Sequence, residues 1–341
     1  MDYAPNWADS LRFLDEGRGS REPDVTNAYD YATMVELDDF DRALIDSLVV
    51  DGRASYAALA RRIGMSQAAV KARVIRLLDR DVIHILGRID PRALGYGEFA
   101  YCLVDVQGPV TSVAERLAEM EETAFVLIVA GARGLFVEFR ARDAKQLDAA
   151  IEQARSDPQV RGIDASSLVA FVKQDWSQSG RRPVGSDHRL GARRRSVDAT
   201  DIRLLECLAA NGRATFAEMS EAAAMSHAAT RDRVLALMAA GVVTVQTIVS
   251  PGVLGVKGYA GLLIEVDGPA EPVADQVAAI ADITLVARVL GRFDVIAEAS
   301  YRDEAHLAEL LDSVHAVEGV GQVEAFVYLV VVKESMTAGL T

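Results

Sequence analysis

The feature that most constrains this chain is that it repeats itself. Displaced by 160 positions, the sequence falls on itself without a gap over most of its length: Asp41 on Asp201, Leu44 on Leu204, Leu48 on Leu208, Gly52-Arg53-Ala54 on Gly212-Arg213-Ala214, and Met65-Ser66 on Met225-Ser226. The match runs on through Arg73-Val74 and Arg233-Val234, Pro91 and Pro251, Gly108-Pro109 and Gly268-Pro269, and Arg142-Asp143 and Arg302-Asp303. A tandem duplication of this length asks for two copies of one fold. The units occupy 37–174 and 197–335. They leave 1–36 as a flexible acidic tail and 175–196 as a linker carrying Arg181, Arg182, Arg189, Arg193, Arg194 and Arg195. That linker reads as solvated, or as a basic strap adding sequence-independent affinity for phosphates.

Each unit has two parts. The first, 37–90 and 197–250, is helical and begins with the apolar stripe Phe40, Leu44, Ile45 and Leu48. A short helix over Leu59–Ile63 is interrupted at Gly64-Met65, and Ser66 opens the next by accepting a bond from an orphan N–H. There Val70, Val74, Leu77 and Leu78 share one stripe, while Gln67, Ala68, Lys71, Arg73 and Arg76 lie off it. This is the pattern of a helix-turn-helix, whose second helix enters the DNA major groove. Two amphipathic helices around a glycine turn also occur in proteins that never touch DNA, so context must decide. A β-branched strand over 82–89 leaves the helices.

The second part, 91–174 and 251–335, reads βαββαβ. Unit one has strands over 99–106, 125–130, 135–140 and 163–172, with helices over 110–121 and 144–156. Unit two has strands over 259–266, 283–290, 295–300 and 322–332, with helices over 271–281 and 304–314. This is the order of a ferredoxin-like sandwich. The fold class is therefore α+β, two tandem units of a helix-turn-helix domain and a ferredoxin-like domain. In the last strand both alternating sets, Ala325, Val327, Leu329 and Phe326, Tyr328, Val330, are apolar, so a second sheet should cover the helix-free face.

Composition removes several function classes. No apolar run approaches the ~20 residues of a membrane span. Cys102 and Cys207 alone make neither a disulfide framework nor a four-cysteine zinc site, and no metal or cofactor is expected. The net charge of −14 argues against a chain that coats nucleic acid over its whole surface, though not against a local basic face. The N-terminal stretch lacks a basic start and apolar core, so no signal peptide is expected and the protein is placed in the cytoplasm.

A helix-turn-helix ending in a strand and followed by βαββαβ resembles the Lrp/AsnC family of bacterial transcriptional regulators. The residues that carry the resemblance are Gly52–Ala60, Gly64–Leu77 and Val82-Ile83. Their counterparts are Gly212–Ser220, Met225–Leu237 and Gly241-Val242-Val243, and Leu290–Asp294 resembles the family's G-x-x-D turn near its effector sites. The resemblance implies a non-enzymatic regulator with double-stranded DNA and a small effector, an amino acid or related metabolite, as partners. Family members usually carry one unit and pair through their C-terminal sheets, so two units on one chain imply a pseudo-dimer, with higher oligomers open.

Site residues follow. Ser66 and Ser226 cap the recognition helices and can donate to phosphate. Gln67 and His227, with Ala68 beside Gln67, face base edges. Lys71, Arg76 and Arg231 position the helices on phosphates, while Arg73 and Arg233 either do the same or bond across their own domains. Between Ser66 and Arg80, Lys71, Arg73, Arg76 and Arg80 against Asp79 leave +3. Between Ser226 and Ala240, Arg231 and Arg233 against Asp232 leave +1, so unit one should hold DNA more strongly. The effector turns are Gly131, Arg133 and Gly134 in unit one, and Gly291, Arg292 and Asp294 in unit two. Asp294 could accept an ammonium group that Gly134 cannot, which favours the second site. Unit two departs from unit one at Ala224 for Gly64 and Thr230 for Val70, and unit one has Asp81 for Gly241.

Two alternatives stand beside this reading. One is a tetrapyrrole decarboxylase of the sirohaem type, which resembles the same fold in paired or fused form and relies on histidines. Here His84, His188, His227, His306 and His315 form no evident cluster with a carboxylate or thiol. The other is a ligand sensor whose second helix-turn-helix has lost DNA.

Overall fold

The computed structural model describes residues 37–131, 133–175 and 197–335. The expectations for the acidic tail and for the arginines of the linker lie outside the described residues.

In unit one, α1 (Asp39–Val50) starts at Asp38, whose carboxylate accepts from the Asp41 N–H. Leu44, Ile45, Leu48 and Val49 of α1 form a core with α2 (Tyr56–Ile63) and α3 (Gln67–Asp79). Phe40, expected in that stripe, is instead 46 % exposed, with the Arg73 guanidinium 5.6 Å from its ring centre. It lies in the first turn of α1, where a cation over the ring replaces burial. Gly64 ends α2 in the left-handed region, at φ 78°, and the Ser66 hydroxyl caps α3 through the Ala69 N–H. Val70, Val74 and Leu77 are buried as the spacing requires, and Leu78 is partly so.

The chain continues through β1 (Ile83–Ile89) into β2 (Glu98–Val106), α4 (Val110–Ala118), β3 (Thr123–Ala130), β4 (Leu135–Ala141), α5 (Ala144–Arg155) and β5 (Val160–Gln174). Unit two repeats the series with α6 (Ala199–Ala210), α7 (Phe216–Ala223), α8 (His227–Ala239), β6 (Val243–Val249), β7 (Gly258–Val266), α9 (Ala270–Ala279), β8 (Ile283–Leu290), β9 (Val295–Tyr301), α10 (Glu304–His315) and β10 (Val320–Glu334). Where the halves differ at turns, a residue with a Cβ holds the left-handed conformation that glycine holds in its twin: Ala224 and Asp81, each at φ 52°.

The two helical domains are one body. β1 and β6 pair antiparallel, with Leu86 opposite Gln246 at the centre of the register. Val249 enters the core of unit one, and Ile89 and Ala93 enter the core of unit two. A reciprocal clasp adds to this. Arg53 donates to the carbonyls of Gly212 (2.6 Å) and Ala214 (2.8 Å), and Arg213 donates to those of Gly52 (2.6 Å) and Ala54 (2.9 Å). Each guanidinium also lies over a ring of the other unit, Phe216 or Tyr56.

The apolar face left by each ferredoxin-like sheet is covered, and the cover belongs to the same chain. The eight strands close into a barrel in the order β10-β3-β4-β2-β5-β8-β9-β7. The long strands β5 and β10 make the closure: each pairs with its own sheet and then with β8 or β3 of the other unit. Helices α4 and α5 pack outside one half, and α9 and α10 outside the other. The lumen holds Leu127, Val129, Phe136, Leu263, Ala287 and Phe326.

Candidate functional site

The α2–turn–α3 and α7–turn–α8 elements place the expected reading residues outward. Ser66, Gln67, Ala68 and Lys71 are exposed on α3 and its cap, as are Ser226, His227 and Arg231 on α8. The His227 ring packs edge-on against Phe216, 6.0 Å between centres, which orients it at the start of its helix.

Other arginines bond toward α1 or its counterpart, Arg76 with its side chain still 43 % exposed. Arg73 Nη1 bonds Asp38 (2.7 Å) and Asp41 (2.8 Å), and Arg76 Nη2 bonds both oxygens of Asp41 at 2.7 and 2.6 Å. Asp41 is buried, and a buried carboxylate needs a hydrogen-bonded counter-charge. Two arginines a turn apart on α3 supply it, so Arg76, expected on phosphate, is instead engaged with α1. In unit two Arg233 bonds Asp201 at 2.6 Å and also Asp198, while Ala236 stands at the place of Arg76. Of the two readings open for Arg73 and Arg233, the bond across the domain is the one these contacts form. The Asp41 N–H first, and Arg73 second, hold the Asp38 carboxyl below its usual range. The same contacts to Asp41 and Asp38 raise Arg73, and those to Asp201 and Asp198 raise Arg233.

Sequence reasoning missed two cations. Arg61 and Arg62 are exposed at the end of α2 and make no ion pair among the described residues. Their counterparts in unit two are Glu221 and Ala222, a difference that the 160-residue displacement already contained. Lys71 and Arg80 likewise make no ion pair among the described residues, whereas Arg231 lies 4.0 Å from Asp232. The reading faces are therefore more unequal than the recognition helices alone suggest.

The glycine turns lie at one end of the barrel. Arg133 pairs with Asp164 on β5, and Arg292 pairs with Glu324 and approaches the same Asp164 at 3.8 Å, so one carboxylate joins both turns. One oxygen of Asp294 is already engaged. Its Oδ2 takes the Val266 N–H at 2.9 Å, and its own N–H donates to Ile264 at 3.0 Å, which ties the turn to β7. A Cβ at Gly134 would sit 3.3 Å from Val110, and at Gly291 it would overlap Ser166, so both turns are close-packed. Among the described residues no group of histidine, cysteine and carboxylates could hold a metal ion.

Comparison with known proteins agrees with this geometry. The AsnC-type helix-turn-helix domain matches at 37–78 and again at 197–238, and the Lrp/AsnC ligand-binding domain matches at 260–338. An uncharacterized HTH-type transcriptional regulator of Pyrococcus abyssi is 32% identical over 151 residues, which is 43% of this chain and 96% of that protein. The HTH-type transcriptional regulator LrpA of Mycobacterium tuberculosis is 34% identical over 138 residues, 40% of this chain and 92% of that protein. Among solved structures, the siroheme decarboxylase NirDL in complex with an iron-uroporphyrin III analogue shares the fold across both units. It aligns at TM-score 0.64 and 13% identity over 88% of this chain and 95% of that one. The twice-matched helix-turn-helix, the ligand-binding domain and relatives matched over nearly their whole length lead to one conclusion: the chain belongs to the Lrp/AsnC family of transcriptional regulators and carries the family's unit in duplicate.

Proposed function

We propose that the protein binds duplex DNA as a single-chain pseudo-dimer, gripping chiefly through unit one, and acts in the cytoplasm under the control of an amino acid or related small metabolite. The observation that carries this reading is the cluster of exposed cations Arg61, Arg62, Lys71 and Arg80 around a recognition helix whose first exposed side chain is Gln67. Cations at the margins of a recognition helix hold phosphates, and a side chain at its N-terminal end reaches base edges. Gln67 and His227 are the proposed base contacts, with Lys71, Arg61 and Arg62 on the backbone and the Ser66 and Ser226 caps beside it. The paired turns at Asp164 are the proposed effector region, their arginines being the groups suited to a carboxylate. Genome-wide mapping of bound DNA tests the reading. It predicts discrete sites whose occupancy falls with Gln67→Ala, and uniform weak occupancy would refute it.

A second reading is a tetrapyrrole decarboxylase, favoured by the likeness in fold to NirDL across both units. Against it, the described histidines stand apart from the barrel lumen. His306 bonds the Arg302 backbone N–H, and His315 contacts the Leu311 carbonyl of its own helix. Titration with an iron porphyrin carrying carboxylates, followed by absorbance, separates the two readings.

A further inference from the structure

At the end of the barrel opposite the glycine turns, a chamber opens between the lumen and the β1–β6 ribbon, with about 100 Å³ open to the centres of water-sized molecules. At ~10–15 Å³ per water position, this is room for several waters or one small organic molecule. One wall is aromatic. Tyr101, Phe136, Phe326 and Tyr328 follow one another with ring centres 5.4–5.9 Å apart. The other wall is charged, and three of its properties set it apart from a packing defect.

First, its polar groups are incompletely matched. Arg140 bonds Glu138 at 2.6 Å and the Ser335 carbonyl at 3.2 Å, and Glu298 accepts from Thr284 at 2.5 Å and Tyr328 at 3.0 Å. Glu334 Oε2 is buried with no hydrogen-bond partner among the described residues. An unmatched buried carboxyl group is costly, and a ligand that bonds it recovers that cost. Burial, with Glu298 nearby, pushes Glu334 up to about 8, and burial raises Glu298 as well. Burial lowers Arg88 to about 10, which leaves it cationic at neutral pH. Arg88, Arg92 and Arg140 bring three guanidinium groups to this wall.

Second, the arrangement is one-sided. Under the 160-residue displacement Arg88, Tyr101 and Arg140 become Ile248, Gly261 and Ser300, and Glu334 corresponds to Gln174. A Cβ at Gly261 would overlap the Phe326 ring, so the place of the missing tyrosine is filled. The barrel thus forms without these charges at the equivalent positions of its other half, and the fold does not require them.

Third, the walls come from both layers of the molecule. Arg88, Ile89 and Asp90 belong to β1 and its exit, and Gly241 and Thr244 follow the second recognition helix. An occupant therefore touches the segment that carries both helix-turn-helix domains.

We propose that this chamber binds one small monocarboxylate per chain, its carboxylate facing Arg88 and Arg140 and its apolar, ring-sized body against the aromatic wall. Glu334 in its acid form donates a hydrogen bond to the ligand. This site lies apart from the glycine turns, and only its effect on DNA rests on the regulator reading. The groups facing Glu334 are Arg88 from β1, Glu138 and Arg140 from β4, Glu298 from β9 and, on its own strand, Tyr328. Ionisation of Glu334 above pH 8 sets a negative charge beside the ligand, so affinity falls as pH rises through that range.

The test is calorimetry on the full chain with sodium phenylacetate, and with phenylacetamide as its uncharged analogue. Saturation at one per chain is expected, with phenylacetamide at least tenfold weaker. Arg88→Met should weaken phenylacetate at least tenfold. Glu334→Gln should hold pH 7 affinity within about threefold and abolish the loss between pH 7 and 9. Since Glu334→Gln preserves shape, it decides the matter if Arg88→Met fails to fold. Absence of saturable binding, or equal pH responses in the wild type and Glu334→Gln, would overturn the proposal. So would saturable binding of iron uroporphyrin with none of phenylacetate. A separate gel shift with phenylacetate reads transmission to DNA, and a chain that binds no DNA would leave the calorimetric result standing.

Discussion

The unequal reading faces can be tested through salt. Each phosphate contact contributes about 0.9 to the slope of log affinity against log salt, and about 3.5-fold in affinity across a fourfold change in salt. Arg62 and Lys71 are exposed and make no ion pair among the described residues, whereas their counterparts are Ala222 and an Arg231 that already faces Asp232. Arg62→Ala with Lys71→Ala should therefore flatten the slope by about 1.8, and Arg231→Ala by about 0.9 at most. The reverse change, Glu221→Arg with Ala222→Arg, should steepen it by about 1.8 and strengthen binding. Arg73→Ala serves as the control. Its guanidinium is held by Asp38 and Asp41, so its loss should lower thermal stability and leave the slope nearly unchanged. Fluorescence anisotropy with one duplex at 50, 100 and 200 mM salt measures all four. Equal flattening by the unit-one pair and Arg231→Ala, or a slope change of about 0.9 or more from Arg73→Ala, would refute the reasoning.

Three further predictions concern stability. Thr230 is fully buried and its hydroxyl has no partner among the described residues, whereas its twin is Val70. Thr230→Val should stabilise by about 1–2 kcal/mol in urea unfolding, and Val70→Thr should cost a similar amount. Ala224 holds φ 52° where Gly64 stands in unit one, and relief of the Cβ strain less the added chain entropy should make Ala224→Gly stabilising by about 0.5–1 kcal/mol, read as a raised Tm. Glu334 has its folded pKa raised to about 8, so the unfolded chain releases this proton first as pH rises. The stability it contributes below the unfolded pKa is lost between about pH 4.5 and 8, at up to about 1.4 kcal/mol per pH unit. Tm measured at pH 5 and pH 8 should thus show Glu334→Gln gaining on the wild type at the higher pH.

The fold was readable wherever one short stretch of chain sets the pattern. β8 appears with the bounds its apolar run indicates, and the caps Ser66 and Ser226 act as caps. β5 and β10 extend beyond the expected 163–172 and 322–332: their C-terminal ends pair with β8 and β3 of the other unit, and their N-terminal ends with β2 and β7 of their own. The apolar residues on both faces of β10 announced a cover, and nothing local said that it would close a barrel. Arg76 lies off the stripe of α3, so spacing sends it to solvent. What redirects it is Asp41, buried on a helix 35 positions earlier. Glu138 and Arg140 alternate with apolar neighbours as an outward face would, and the closure of the barrel turns that face inward.

The ribbon of β1 and β6, with its clasp of Arg53 and Arg213, has a consequence for how such a protein meets DNA. A regulator built from separate single units must find its twin in solution and can exchange it for a near relative. Here the companion is always present, since the effective concentration of one covalently joined half near the other does not fall on dilution. Identical subunits impose dyad symmetry on the sequence they read, and halves that differ as Gln67 differs from His227 do not. On the proposed base contacts of Gln67 and His227, a site for this chain consists of two unlike halves in a fixed order, and the bound protein then has a direction along the duplex.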